Sequence, residues 1–157
     1  MLRALLLLVA LLGAPPTLVH ASSLAEALVV RVVDGDTIHV RVDGHLEKVR
    51  YIGVNTPEVH HPSKGEEPGG REAHAVNRRL VEGKRVRLEL DVQSRDRYGR
   101  LLAYVWIGDT MINAELVRLG YAQVMTVPPN VRHQALFLKL QRDARQSGRG
   151  LWTRVGS

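Results

Sequence analysis

Residues 28–33, Leu28-Val29-Val30-Arg31-Val32-Val33, are apolar and rich in β-branched side chains, the composition of a strand. Asp34-Gly35 then reads as a turn. Thr37 to Val42 alternates strictly, with Ile38, Val40 and Val42 on one side, as a half-buried strand should. Asp43-Gly44 is a strong hairpin signal and leads into a third strand over 46–52. These pieces predict a three-stranded meander. A long loop from Gly53 to Gly70 follows, with Pro57, Pro62 and Pro68 inside it, and loops of that length tend to carry function.

The period then changes. Ala73, Val76, Asn77 and Leu80 share a helical face over 71–82, and Gly83 stops the helix. Alternation returns over 84–92 and again over 100–107, the two separated by a turn at Asp96–Gly99. Asn113 is expected to cap a short helix over 114–119, ended by Gly120. Pro128-Pro129-Asn130 opens a last helix over about 131–146, with Ala135, Leu138 and Ala144 as its buried candidates. The sum is an α+β chain: a five-stranded, partly open Greek-key barrel of the OB-fold kind, with three helices. Such barrels often bind nucleic acid or sugar polymers, although a fold does not settle a function.

Composition adds a compartment and a polarity. The chain opens with one basic residue, Arg3, then the apolar run Ala4–Leu12, then Gly13, two prolines and Val19-His20-Ala21. That is the layout of a signal peptide over 1–21, too short to span a bilayer, leaving 22–157 as a single domain with a core of about 29–152. Export to the periplasm or the medium follows, with no membrane association after cleavage and a monomer as the default state. There is no cysteine, so an exported chain must rely on its core or on ligands for stability. The net charge of +6 falls to +5 without Arg3, and 18 of the 22 basic residues are arginine. A polyanionic partner suits that balance, as ordinary solubility also does.

The candidate chemistry lies in Asp34-Gly35-Asp36-Thr37, Arg50, Asn55-Thr56-Pro57-Glu58 and Arg100. Asp36, Asn55 and the Thr56 carbonyl are hard oxygen donors suited to Ca²⁺, Mg²⁺ or another divalent cation. Glu58 can take a proton from water. Arg50 and Arg100 are permanent cations whose forks match phosphate. Taken singly, each has an ordinary reading. Asp34-Gly35-Asp36 is a common turn, Glu58 a loop carboxylate, and Arg100 a turn residue that could pair with Asp96. Arg50 stands out from Arg31 and Arg41 because an arginine at a barrel mouth needs a partner. His60, His61 and His74 fit no zinc spacing.

Taken together, these pieces resemble the thermonuclease family. The likeness rests on Val33-Asp34-Gly35-Asp36-Thr37, Arg50, Thr56-Pro57-Glu58, Tyr98-Gly99-Arg100-Leu101-Leu102-Ala103-Tyr104, Asn113-Ala114-Glu115-Leu116-Val117-Arg118 and Leu151-Trp152, in that order. The resemblance implies an exported Ca²⁺-dependent nuclease that hydrolyses DNA and RNA and leaves 3′-phosphate ends. It implies Asp36, Asn55 and Thr56 as metal ligands, with Asp34 behind them or simply forming the turn. It implies Arg50, Glu58 and Arg100 as catalytic residues and Tyr98 as a substrate contact. Two departures stand out: Asn55 replaces an aspartate, and residues 122–129 lack the family's pair of pocket tyrosines. Both would fit the alternative, an OB-fold module that binds nucleic acid without cutting it. A phosphoesterase acting on small nucleotides is a third reading.

Overall fold

The computed structural model describes residues 24–59 and 65–153; the segment read as a signal peptide, together with His60 and His61, lies outside them. Alternation decides which side of each strand enters the core. Strand β2, Thr37–Val42, buries Ile38 and Val40 completely. Strand β3, His45–Tyr51, buries Val49 and Tyr51 beside them. Asp43 (φ 47) and Gly44 (φ 83) are both left-handed, the geometry of the two-residue turn that matches strand twist. Strand β1 is longer than its apolar run, extending over Leu24–Asp34. Its register against β2 shifts between Val29 and Arg31, so Val29 and Val32 both point inward although three residues apart.

Two further strands complete the barrel: β5, Arg85–Glu89, and β6, Leu101–Ile107. Strand β4, Val54–Asn55, is a two-residue element inside the loop after β3. In the main sheet β3, β2, β1, β5 and β6 lie in that order, and β3 also pairs with β6. This last pairing is parallel, Val49 to Leu101, Arg50 to Leu102 and Tyr51 to Ala103, and it closes the ring. The barrel is therefore a closed five-stranded OB-fold rather than a partly open one. The short strand β7, Thr110–Met111, folds back on β6.

Helix α1, Gly70–Val81, sets Ala73, Val76, Asn77 and Val81 against the barrel. Asn77 is buried on that apolar face because it is satisfied there: it accepts from the Tyr51 hydroxyl (3.0 Å) and donates to the Asp34 carbonyl (3.0 Å). Helix α2, Ile112–Arg118, starts two residues earlier than expected, and Asn113 does not cap it. Its side chain instead accepts from the Val105 amide (2.9 Å) and donates to the carbonyls of Ile52 (3.0 Å) and Ala103 (3.3 Å). Strand β8, Gln123–Val124, pairs with β4 and fastens the loop after β3 to the segment that leaves α2.

Helix α3 spans Gln134–Gln146, three residues shorter at its start than predicted. Arg132 and His133 are engaged elsewhere, with Arg132 on Glu89 (2.7 Å) and His133 near the same carboxylate (3.3 Å). Trp106 donates its indole N–H to Glu89 as well (2.8 Å), so this buried acid ties the entry of α3 to β5 and β6. Of the predicted buried face of α3, Ala144 is buried, whereas Ala135 and Leu138 are exposed and Phe137 is buried in their place. A single buried stripe on a three-turn helix is easily misplaced by one residue. Among the described residues, no helix is long and apolar enough to cross a membrane.

Asn113 makes the fold's central polar contact outside the strands. Replacing it with alanine orphans a buried amide and weakens two carbonyl partnerships, so Asn113→Ala should cost about 2–4 kcal/mol. Urea unfolding tests this: the midpoint should fall with the slope unchanged.

Candidate active site

The β1–β2 turn and the loop after β3 meet at the end of the barrel. Asp36 sits in the turn rather than on a strand, and its side chain is buried. One carboxylate oxygen, Oδ2, accepts from the Thr56 amide (2.8 Å) and faces Arg50 Nη2 (3.1 Å); the other accepts from the Thr37 hydroxyl (3.1 Å). Asp34 Oδ1 accepts from the Asp36 amide (3.2 Å) and so forms the turn. Gly35 is needed for contact rather than for φ: a Cβ there would lie 2.6–2.7 Å from the Thr56 side chain. The two loops touch because residue 35 has no side chain.

Arg50 is buried on β3. Nη1 donates to the carbonyls of Tyr51 and Val54, each at 2.8 Å, and Nη2 donates to Asn55 Oδ1 (3.0 Å). A carboxylate oxygen and an amide oxygen thus converge on one guanidinium nitrogen. Burial pushes the Asp36 carboxyl up to about 6; Arg50 and the Thr56 amide oppose the rise, and Asp34 adds to it. This is an acid whose charge is under-compensated, which favours an incoming cation.

Among the described residues, no three His, Asp or Glu side chains gather as a metal cluster. The oxygens that could hold a cation are instead the Asp36 carboxylate, the Asn55 amide oxygen and the Thr56 carbonyl. All are hard oxygens and fit Ca²⁺ or Mg²⁺, although a single charged ligand places affinity at the weak end of the calcium range.

Glu58 is exposed, and its backbone is what the structure holds. Its amide donates to Glu67 Oε2 (3.0 Å) and its carbonyl accepts from the Glu67 amide (2.9 Å). A Cβ on Gly70 would lie 2.6 Å from the same carbonyl, so the start of α1 packs directly against residue 58.

Arg100 lies in the turn just before β6. Asp96 accepts from its Nε (2.6 Å) and its backbone amide (3.0 Å). Burial alone would raise the Asp96 acid, but these bonds from Arg100 and the Tyr98 amide hold it below the usual carboxylate range. The pairing anticipated for Arg100 is present, and it engages Nε rather than the terminal nitrogens. Tyr98 is exposed, its ring centroid 5.5 Å from the Arg100 guanidinium carbon.

One cavity of about 580 Å³ joins these parts: Arg50, Asn55, Glu58, Tyr98 and Arg100 all line it. Asp36 and Thr56 lie behind its wall, reached through Arg50 and Asn55. The far side is formed by Met125 and Val127, both exposed apolar side chains where the missing tyrosines left no aromatic. Met125 is held there by its amide, which donates to the Gly53 carbonyl (2.9 Å). Asn130 and Gln93 also line the cavity and brace each other, with 2.8 Å bonds in both directions.

The sequence reading passed over these last two and also Lys48, which lines an adjoining hollow with Glu58, Tyr98 and Arg100. Its position two residues before Arg50 on a strand was the available signal, because such residues share a face.

The family model of staphylococcal nuclease homologues matches residues 48–154. The thermonuclease of Staphylococcus intermedius is 42% identical over 127 residues, covering 81% of this chain and 76% of that protein. The thermonuclease of Staphylococcus hyicus is also 42% identical, over 80% of this chain and 74% of its own. Endonuclease YncB of Bacillus subtilis (strain 168) is 34% identical over 87% of this chain and 66% of its own. On fold, site geometry and likeness across most of its length, the chain belongs to the staphylococcal nuclease homologue family.

Proposed function

We propose that this chain is an exported nuclease that hydrolyses phosphodiester bonds in DNA and RNA with the help of Ca²⁺. The observation that carries the reading is the convergence of Arg50, Asn55, Glu58 and Arg100 on one cavity, with the buried Asp36 carboxylate directly behind it. Named relatives that are thermonucleases and endonucleases support it. Export rests on the leader-like run before residue 22.

Each residue has a role that its surroundings suit. Asp36, Asn55 and the Thr56 carbonyl would hold the cation, which when bound would offset charge on a phosphate oxygen. Arg50 is fixed at Nη1 by two carbonyls and at Nη2 by Asn55 and Asp36, so its charge and its Nε–H are already in place for the scissile phosphate and the departing 5′ oxygen. Arg100, anchored through Nε, presents its terminal nitrogens to the equatorial oxygens as charge accumulates there. Exposed Glu58 orients a water molecule and takes its proton, with attack in line opposite the leaving oxygen and 3′-phosphate products. Tyr98 gives the nucleotide a surface beside Arg100. Asn55 and the apolar Met125–Val127 wall favour a second reading, a module that binds nucleic acid without cutting it.

Steady-state hydrolysis of DNA separates the two readings. Arg100→Ala should lower kcat by about 10²–10³ and Glu58→Gln by about 10²–10⁴, with unfolding midpoints near wild type. Unchanged turnover in either folded variant would remove that residue from the mechanism.

The Asp36 acid sets a pH window for the cation. Its folded value of about 6 lies above the ordinary 3.8, so in metal-free protein this group costs stability at neutral pH. That cost is relieved as pH falls from about 7 towards 4, while protonation removes a ligand. The rise in melting temperature given by millimolar Ca²⁺ should therefore be full at pH 8 and fade as pH drops through about 6. Thermal unfolding with and without Ca²⁺ across that range checks it, and Asp36→Asn should abolish the Ca²⁺ effect at every pH.

A further inference from the structure

The sheet face that carries Arg50 does not end at the cavity. Residues directly opposite in a sheet, and residues two apart along a strand, lie on the same side. Arg50 pairs with Thr37. The next row is Lys48, His39 and Arg31, since His39 pairs with Lys48 on one side and with Arg31 on the other. The row beyond centres on Arg41, between Leu46 and Leu28. Rows repeat at about 7 Å and strands at about 4.8 Å, so positive groups step away from Arg50 across β1, β2 and β3.

Three observations distinguish this face from a merely solvated one. Arg31, Arg41 and Lys48 form no ion pair with a described residue; Arg79 and Arg142 form none either, but here three such cations fall in adjacent rows of one sheet face. His39 Nε2 is shielded from solvent yet has no hydrogen-bond partner, and it lies between two cations. Lys48 shares its hollow with Glu58, Tyr98 and Arg100, so the basic face runs into the candidate site without a break. Like charges gathered without counterions are unfavourable unless an anion visits them.

We propose that the outer face of β1–β3 is a track for the phosphodiester backbone of a polynucleotide, carrying the strand away from the cavity through Lys48, His39, Arg31 and Arg41. The inference rests on the nuclease reading for the direction of the strand but not for its binding. It makes the preferred substrate a polymer rather than a small nucleotide. Contacts of this kind go to phosphates and carry no sequence preference.

The test is binding of a fluorescein-labelled 20-mer single-stranded DNA by anisotropy, with chelator present to prevent cleavage, over 50–300 mM NaCl. Arg31→Gln/Arg41→Gln should lower the magnitude of the slope of log K against log salt by about 1.4, each phosphate contact contributing about 0.7. Arg79→Gln/Arg142→Gln removes the same charge elsewhere on the surface and should leave the slope unchanged. With Ca²⁺, the first pair should raise KM on long DNA while sparing hydrolysis of a trinucleotide. Equal slopes in wild type and Arg31→Gln/Arg41→Gln would overturn the track, and so would equal losses in both double variants, since net charge alone would then explain binding. Failure of wild type to cut either substrate, with the slope change intact, would refute the nuclease reading and leave the track standing.

Discussion

A buried guanidinium organises this protein. Arg50 sits where β3 and β6 close the barrel, paired across the seam with Leu102. A charge in that position is tolerated only when its donors are met, and the acceptors that meet them are the Tyr51 and Val54 carbonyls, Asn55 and Asp36. Those four come from the end of β3, from β4 and from the β1–β2 turn. Satisfying one side chain therefore bends the loop after β3 back over the barrel mouth. Gly35 allows the turn to reach Thr56, and Gly70 allows α1 to reach Glu58. Fold closure and site assembly are one packing problem.

The same arrangement accounts for the electrostatics. Asp36 has a single cation partner against burial and a neighbouring Asp34, which leaves its acid raised to about 6. Asn55 where an aspartate would add a second negative charge keeps the oxygen and gives up the charge. The repulsion of a fuller acidic cluster is thereby avoided. Opposite, Met125 and Val127 give the cavity an apolar wall with no aromatic ring.

Much of this was legible in the sequence because it is local. Alternation located β2 and β3, Asp43-Gly44 located their turn, and the short motifs named Arg50, Asn55, Glu58, Tyr98 and Arg100, which line the cavity together. What the sequence concealed is non-local. Two-residue β4 has too few positions to show a period and exists only because Gln123–Val124 lies across from it. Asn113 reads as a helix cap by type, but its partners are Ile52, Ala103 and Val105, invisible without the tertiary fold. Arg132 and His133 look like the first turn of a helix until Glu89 claims them. Lys48, His39 and Arg31 lie on three successive strands, and only the register, including the shift between Val29 and Arg31, shows that they align.

The measurement that tests the central claim most directly is a timed digest of plasmid DNA and of RNA by the purified protein in millimolar Ca²⁺, millimolar Mg²⁺ or chelator, with analysis of the product ends. The account predicts degradation of both polymers in Ca²⁺, arrest by chelator, and 3′-phosphate ends. Intact polymers in every metal, with DNA still bound in a salt-sensitive manner, would contradict it and make the chain a binding module.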